Sequence, residues 1–83
     1  MLPKHRKPLH PGKILREEYT EPLGITQLEL AKKLCITRVR VNEIILGKRS
    51  ITPDTAFRLS RLFNTSVEYW LNMQRRVDMW ETL

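Results

Sequence analysis

Apolar positions recur at three- and four-residue steps along most of the chain, and no stretch alternates with the two-residue period of a half-buried strand between hairpin turns. The pattern predicts five helices. The first runs from about Pro11 to Tyr19, with proline in its first turn and Ile14, Leu15 and Tyr19 at helical spacing; Pro22 and Gly24 are expected to stop it. The second opens on Thr26-Gln27-Leu28-Glu29, a capping box, and its expected buried face is Leu28, Ala31 and Leu34. After a turn at Cys35-Ile36, Thr37 can cap a third helix that continues through Leu46 with Val41, Ile44 and Ile45 inward, and Gly47 ends it. Thr52-Pro53 is a cap followed by a proline at the first helical position. It starts a fourth helix with Ala56, Leu59, Leu62 and Phe63 inward and Asn64 as a left-handed terminator. Ser66 caps a fifth, along which Val67, Trp70, Met73, Val77 and Trp80 form one stripe, and nothing breaks it before Leu83.

Two of these helices stand at the spacing of a helix-turn-helix, whose tight crossing imposes rules on side-chain size. Counting Gln27 as the first position, Ala31 at the fifth is small enough to let the second helix approach the third. Leu30, Leu34, Ile36, Val41 and Ile44 supply the apolar contacts that lock the pair. The ninth position is commonly glycine because the turn there tends toward positive φ; this chain has Cys35, so some backbone strain is expected. The expected organisation is a flexible basic tail over residues 1–9 and one all-α, five-helix domain over residues 10–83, the last helix serving dimerisation.

Charge points the same way. Of the net +6, residues 1–16 hold five Lys or Arg and no acid, and residues 26–63 hold eight basic and three acidic side chains. Residues 17–25 carry −3 through Glu17, Glu18 and Glu21, and residues 64–83 carry −1. A positive tail and a positive middle suit a polyanion, because each Lys or Arg set against a phosphate releases condensed counterions.

If Val41, Ile44 and Ile45 face inward, a step of about 100° per residue puts Val39, Asn42, Glu43 and Leu46 outward, with Arg38 and Arg40 on the flanks. The start of such a helix meets base edges, so Thr37, Arg38, Val39 and Asn42 are the candidate readers, with Arg40 reading either a base or a phosphate. Solvated surface arginines are the plain alternative. Gln27 at the start of the second helix, and Lys48 and Arg49 after the third, are placed to clamp phosphates. The expected ligand is double-stranded DNA with a palindromic operator, bound by a homodimer. Trp70, Met73, Val77 and Trp80 would form the dimer interface, although Trp70 also suits the core and either tryptophan can stack on a nucleotide.

The remaining chemistry is sparse. His5 and His10 stand apart from any clustered carboxylate or thiol, which argues for solvation and against a metal. One cysteine closes no internal disulfide and builds no usual zinc site. No glycine-rich phosphate loop or nucleophile, base and orienting acid is recognisable, so neither an enzyme nor a cofactor is expected. No apolar run approaches the roughly 18 residues of a membrane span, and the start lacks the apolar region of a secretory signal. A soluble, cytoplasmic protein is the expectation.

His10-Pro11-Gly12, Glu21-Pro22-Leu23-Gly24-Ile25-Thr26, Leu46-Gly47-Lys48-Arg49, Tyr69-Trp70-Leu71-Asn72-Met73-Gln74 and Asp78-Met79-Trp80 occur together here. Over residues 10–80 this set resembles the HigA-type antitoxins, a branch of the Xre helix-turn-helix proteins. It departs from them in having Cys35 at the usual turn glycine and Leu46 where asparagine often precedes Gly-Lys. The resemblance implies an Xre/Cro-like fold and two activities: repression of its own operon, and neutralisation of a HigB-like toxin similar to RelE-type, ribosome-dependent mRNA endonucleases. The acidic cluster Glu17, Glu18 and Glu21 is the candidate toxin contact, with helix solvation and the basic tail as rivals. A stand-alone Xre-family regulator without a toxin is the alternative.

Overall fold

The computed structural model describes residues 6–83, and they form an all-α, five-helix domain. Met1 to His5, with part of the expected tail, lie outside the described residues. Helix α1 is a continuous run over residues 11–23 built from an α-helical turn Pro11–Ile14, a π-helical stretch Leu15–Thr20 and a last α-helical turn Glu21–Leu23. It is followed by α2 (Gln27–Leu34), α3 (Arg38–Ile45), α4 (Pro53–Phe63) and α5 (Val67–Glu81).

Pro22 does not stop α1 as its spacing suggests. A proline ring collides with the carbonyl four residues back in a regular α-helix. Here the preceding turns are widened, and the Glu21 N–H donates to the Arg16 carbonyl five residues back. The Thr20 hydroxyl donates to the same carbonyl at 3.1 Å. Gly24 ends the helix at φ 66°, and the Ile25 N–H closes it on the Thr20 carbonyl at 2.9 Å.

The other end of α1 explains His10-Pro11-Gly12. His10 is not simply solvated: its Nδ1 accepts from the Gly12 N–H at 2.9 Å, capping the helix, while Pro11 fills the first position where no N–H is needed. Gly12 lies so close to α3 that a Cβ there would fall 1.7 Å from the Ile44 carbonyl oxygen. Burial pushes the His10 pKa below its ordinary 6.5; Glu81 opposes that shift, Lys7 adds to it and Asp78 opposes it. The cap needs an unprotonated Nδ1. Its stabilisation is therefore complete above about pH 6.5, the unfolded-state value, and is lost as pH falls through the lower folded-state value. Unfolding stability should decline on acidification just below pH 6.5, and His10→Asn, a cap that does not titrate, should flatten that decline. Identical pH slopes for the two proteins in denaturant melts would remove His10 from the account.

Leu15, Leu30, Ala31, Leu34, Val41, Ile44, Ile45, Ile51, Ala56, Leu59 and Trp70 form the core. Leu28 is not part of it. At 48% exposed it lies outside the stripe of Leu30, Ala31 and Leu34, because a step of about 100° carries it past the edge of that face. Trp70 is wholly buried, its indole N–H donating to Thr65 Oγ1 at 2.7 Å and its ring 5.3 Å from Tyr19. Gln74, also buried, accepts the Ile51 N–H at 2.9 Å and donates to Asp78 at 3.0 Å, which fastens the segment after α3 onto α5. Lys7 lies 3.7 Å from Glu81 and 5.7 Å from the Trp80 ring centre, so this part of the tail rests on the end of α5. Among the described residues no helix is long and apolar enough to cross a membrane.

Candidate nucleic-acid interface

Local sequence sets both ends of the helix pair. Thr26 Oγ1 accepts the Glu29 N–H at 3.1 Å and the Glu29 carboxylate accepts the Thr26 N–H at 3.0 Å, the reciprocal box that starts α2. Those hydrogen bonds lower the Glu29 pKa. Helix α2 ends at Cys35, which adopts the left-handed conformation (φ 58°, ψ 42°) expected of the turn position, and the Ile36 N–H reaches back to the Ala31 carbonyl at 3.1 Å. Ala31 is buried. Thr37 Oγ1 then accepts the Arg40 N–H at 3.1 Å and starts α3. Left-handed geometry strains a residue with a Cβ, so Cys35→Gly is expected to stabilise the domain by up to ~1 kcal/mol. Equilibrium denaturation checks this, and a lower midpoint would refute it.

The inward face of α3 is Val41, Ile44 and Ile45, all buried. Its outward face is open: Val39 is 68% exposed, and Arg38, Asn42 and Leu46 are exposed as well. Gln27, Arg38, Val39 and Asn42 line one shallow depression between the start of α2 and α3. Asn42 Nδ2 donates to Gln27 Oε1 at 3.1 Å, so two residues given separate roles from the sequence form one hydrogen-bonded pair across the two helices. This contact orients the Asn42 amide.

The flanking cations are not equivalent. Arg38 has no hydrogen-bond or ion-pair partner among the described residues and is free to extend outward. Arg40, the candidate base or phosphate reader, is half-buried and turned toward α4, where it meets Thr55 and Asp54. Sequence spacing within one helix does not report a partner fifteen residues away. Arg49 is held by Glu43 through Nε at 3.0 Å and Nη2 at 2.8 Å, and Lys48 and Arg49 are both exposed.

Trp70 and Val77 lie in the chain's own interior, Met73 and Trp80 are half-buried, and Met79 is exposed. Glu17, Glu18 and Glu21 are all exposed on α1. Glu17 lies 3.3 Å from Arg16 and 4.0 Å from Lys13, and Glu21 lies 3.7 Å from Arg16. Glu18 has no ion pair among the described residues. No group of three or more His, Cys, Asp or Glu among the described residues is placed to hold a metal. Two residues that the sequence left without a role make these links: Gln74 holds the loop after α3 through the Ile51 N–H, and Asp54 lies 3.6 Å from Arg40 of α3. The only signal for Gln74 was its place in a recurring motif; Asp54 carried none.

A capped helix pair crossing at a small residue, with a polar and cationic outer face on its second helix, defines a helix-turn-helix protein. Residues 15–70 match the helix-turn-helix family. Virulence-associated protein I of Dichelobacter nodosus is 49% identical over 71 residues, which are 86% of this chain and 66% of that protein. This chain thus spans about two thirds of that relative's length. An addiction module antidote protein of the HigA family from Coxiella burnetii is 45% identical, with a TM-score of 0.88 over 94% of this chain and 85% of that one. The Pseudomonas aeruginosa antitoxin HigA, solved with the higBA promoter, is 37% identical, with a TM-score of 0.89 over 92% of this chain and 83% of that one. This chain belongs to the helix-turn-helix family, in the branch of the HigA-type antitoxins.

Proposed function

We propose that this protein is an operator-binding autorepressor that also neutralises a small RelE-like mRNA endonuclease. The observation that carries the DNA half is the open outer face of α3, where Thr37, Arg38, Val39 and Asn42 stand on a helix fixed at both ends and braced by Gln27. Arg38 suits guanine O6 and N7, and the Asn42 amide, with Nδ2 committed to Gln27, keeps donor and acceptor capacity for a base edge. Gln27, Lys48 and Arg49 lie beside that face as phosphate clamps. The P. aeruginosa HigA solved with promoter DNA supports the same use of the shared fold.

A homodimer formed through Met73, Met79 and Trp80 would present two copies of α3 to successive major grooves, with half-site centres roughly 34 to 36 Å apart, so the operator should be palindromic. For the toxin, bulk charge is not expected to drive association, since this chain carries +6 and a partner that acts on ribosomal RNA-rich surfaces is expected to be basic as well. Specific contacts are needed. Glu18, with Glu17 and Glu21 beside it on the exposed side of α1, is the negative feature on offer to such a partner.

The test has two arms. Footprinting of the protein on the DNA upstream of its own gene should protect a palindrome, and co-expression with the adjacent small basic reading frame should rescue growth and give a stable complex. Protection without rescue or complex would leave a stand-alone repressor; failure of both arms ends the proposal.

A further inference from the structure

Arg40 stands on a flank of α3, at the edge of the surface proposed to meet DNA, yet its guanidinium is turned away. Nη2 donates to Thr55 Oγ1 at 2.6 Å and lies 3.6 Å from Asp54 Oδ2, both residues in the first turn of α4. Nε is buried without a hydrogen-bond partner among the described residues. An unpartnered N–H out of water is costly, so hydrogen bonding alone does not account for this placement. The attraction of the Asp54 carboxylate supplies the remainder.

That carboxylate serves two arginines. Arg58 Nε donates to its two oxygens at 3.2 and 3.1 Å, and Arg58 Nη1 donates to the Leu34 carbonyl at 2.8 Å, at the end of α2. Arg58 therefore has a second anchor on the backbone. Among the described residues Arg40 has only the neutral hydroxyl of Thr55 besides Asp54, so loss of the Asp54 charge would free Arg40 far more readily than Arg58.

We propose that Asp54 is a specificity-determining residue, withholding Arg40 from the DNA backbone so that the readers on α3 carry a larger share of binding. This rests on the DNA-binding reading above. An arginine set on a phosphate strengthens binding to any sequence. On an operator the base contacts fix α3 and leave Arg40 one position, whereas on random DNA the protein can shift until a mobile cation finds a phosphate. A freed Arg40 adds to random-sequence binding in full and to operator binding only in part.

The experiment compares wild type, Asp54→Asn and the double variant Asp54→Asn/Arg40→Gln on operator and random duplexes across a salt series. Asp54→Asn is expected to tighten random-duplex binding about threefold to tenfold, an effect bounded by the modest strength of a partly exposed ion pair. It should also steepen the salt dependence by about one unit per subunit and lower the operator-to-random ratio. Adding Arg40→Gln should abolish the gain. Asp54→Ser, which keeps a residue suited to a helix start and removes the same charge, must repeat the result if Asp54→Asn folds poorly. Weaker or unchanged random-duplex binding overturns the proposal, and so does a gain that survives Arg40→Gln, because Arg58, the other arginine on that carboxylate, would then be its cause. Arg40→Gln alone should leave random-duplex binding near wild type, and a loss there as large as the Asp54→Asn gain would assign the gain to bulk charge and overturn the proposal as well. A wild type that does not discriminate operator from random DNA overturns the DNA-binding reading itself, and this proposal with it.

Discussion

Gly12→Ala is expected to destabilise the domain by about 2 kcal/mol or more, lowering the thermal midpoint by roughly 10 °C or more at this chain length. The added Cβ would lie 1.7 Å from the Ile44 carbonyl oxygen, 2.7 Å from the Ile44 carbonyl carbon and 3.1 Å from His10 Nδ1. A long side chain can rotate out of such a contact; a backbone carbonyl inside a helix cannot. Helices α1 and α3 would have to separate, opening voids around Leu15 and Ile44, both almost fully buried. Alanine is the better helix former by about 1 kcal/mol, which offsets part of the overpacking cost without cancelling it. Since Ile44 belongs to the proposed recognition helix, operator affinity should fall together with stability. Calorimetry checks the first effect, and a midpoint at or above the wild-type value would show that α1 can move away from α3 without loss.

The sequence made the helix boundaries legible where the signal is local. Thr26 with Glu29, Thr37, Thr52 with Pro53, and Ser66 all cap the helices their spacing predicts, because a cap needs only a side-chain oxygen and an amide three residues on. The strain at Cys35 was legible for the same reason: a turn of fixed length dictates its own φ. What escaped depends on partners distant in the chain. Gly12 matters because of Ile44, His10 packs beside Gly47 near Glu81, and Arg40 is turned by residues of α4. Leu28 shows the limit of periodicity, which marks a stripe but not which edge of it the neighbouring helices cover. Pro22 shows the limit of propensity: a helix already committed at both ends absorbs a proline by widening its turns.

On the proposed operator, Arg38→Ala and Lys48→Ala are expected to fail in different ways. Arg38 occupies the first turn of α3, exposed and unpaired among the described residues, beside the Gln27–Asn42 pair. Its planar fork matches the two acceptors of a guanine edge, so its loss should cost roughly 1 to 3 kcal/mol and relax selectivity at one base pair per half-site. Lys48 follows Gly47, whose φ of 75° turns the chain out of α3, and its own N–H donates to the Glu43 carbonyl at 2.8 Å. The backbone there is fixed while the side chain is a flexible point charge, which suits a phosphate and reads no sequence. Lys48→Ala should therefore weaken binding to all duplexes alike and lower the salt slope by about one unit per subunit. Arg49, the neighbouring clamp, must first give up its pairing with Glu43 to compensate for the loss. Binding measured on the operator, on single-base variants of it and on random DNA at several salt concentrations separates the two, and equal, sequence-blind losses for both variants would reduce Arg38 to a backbone clamp.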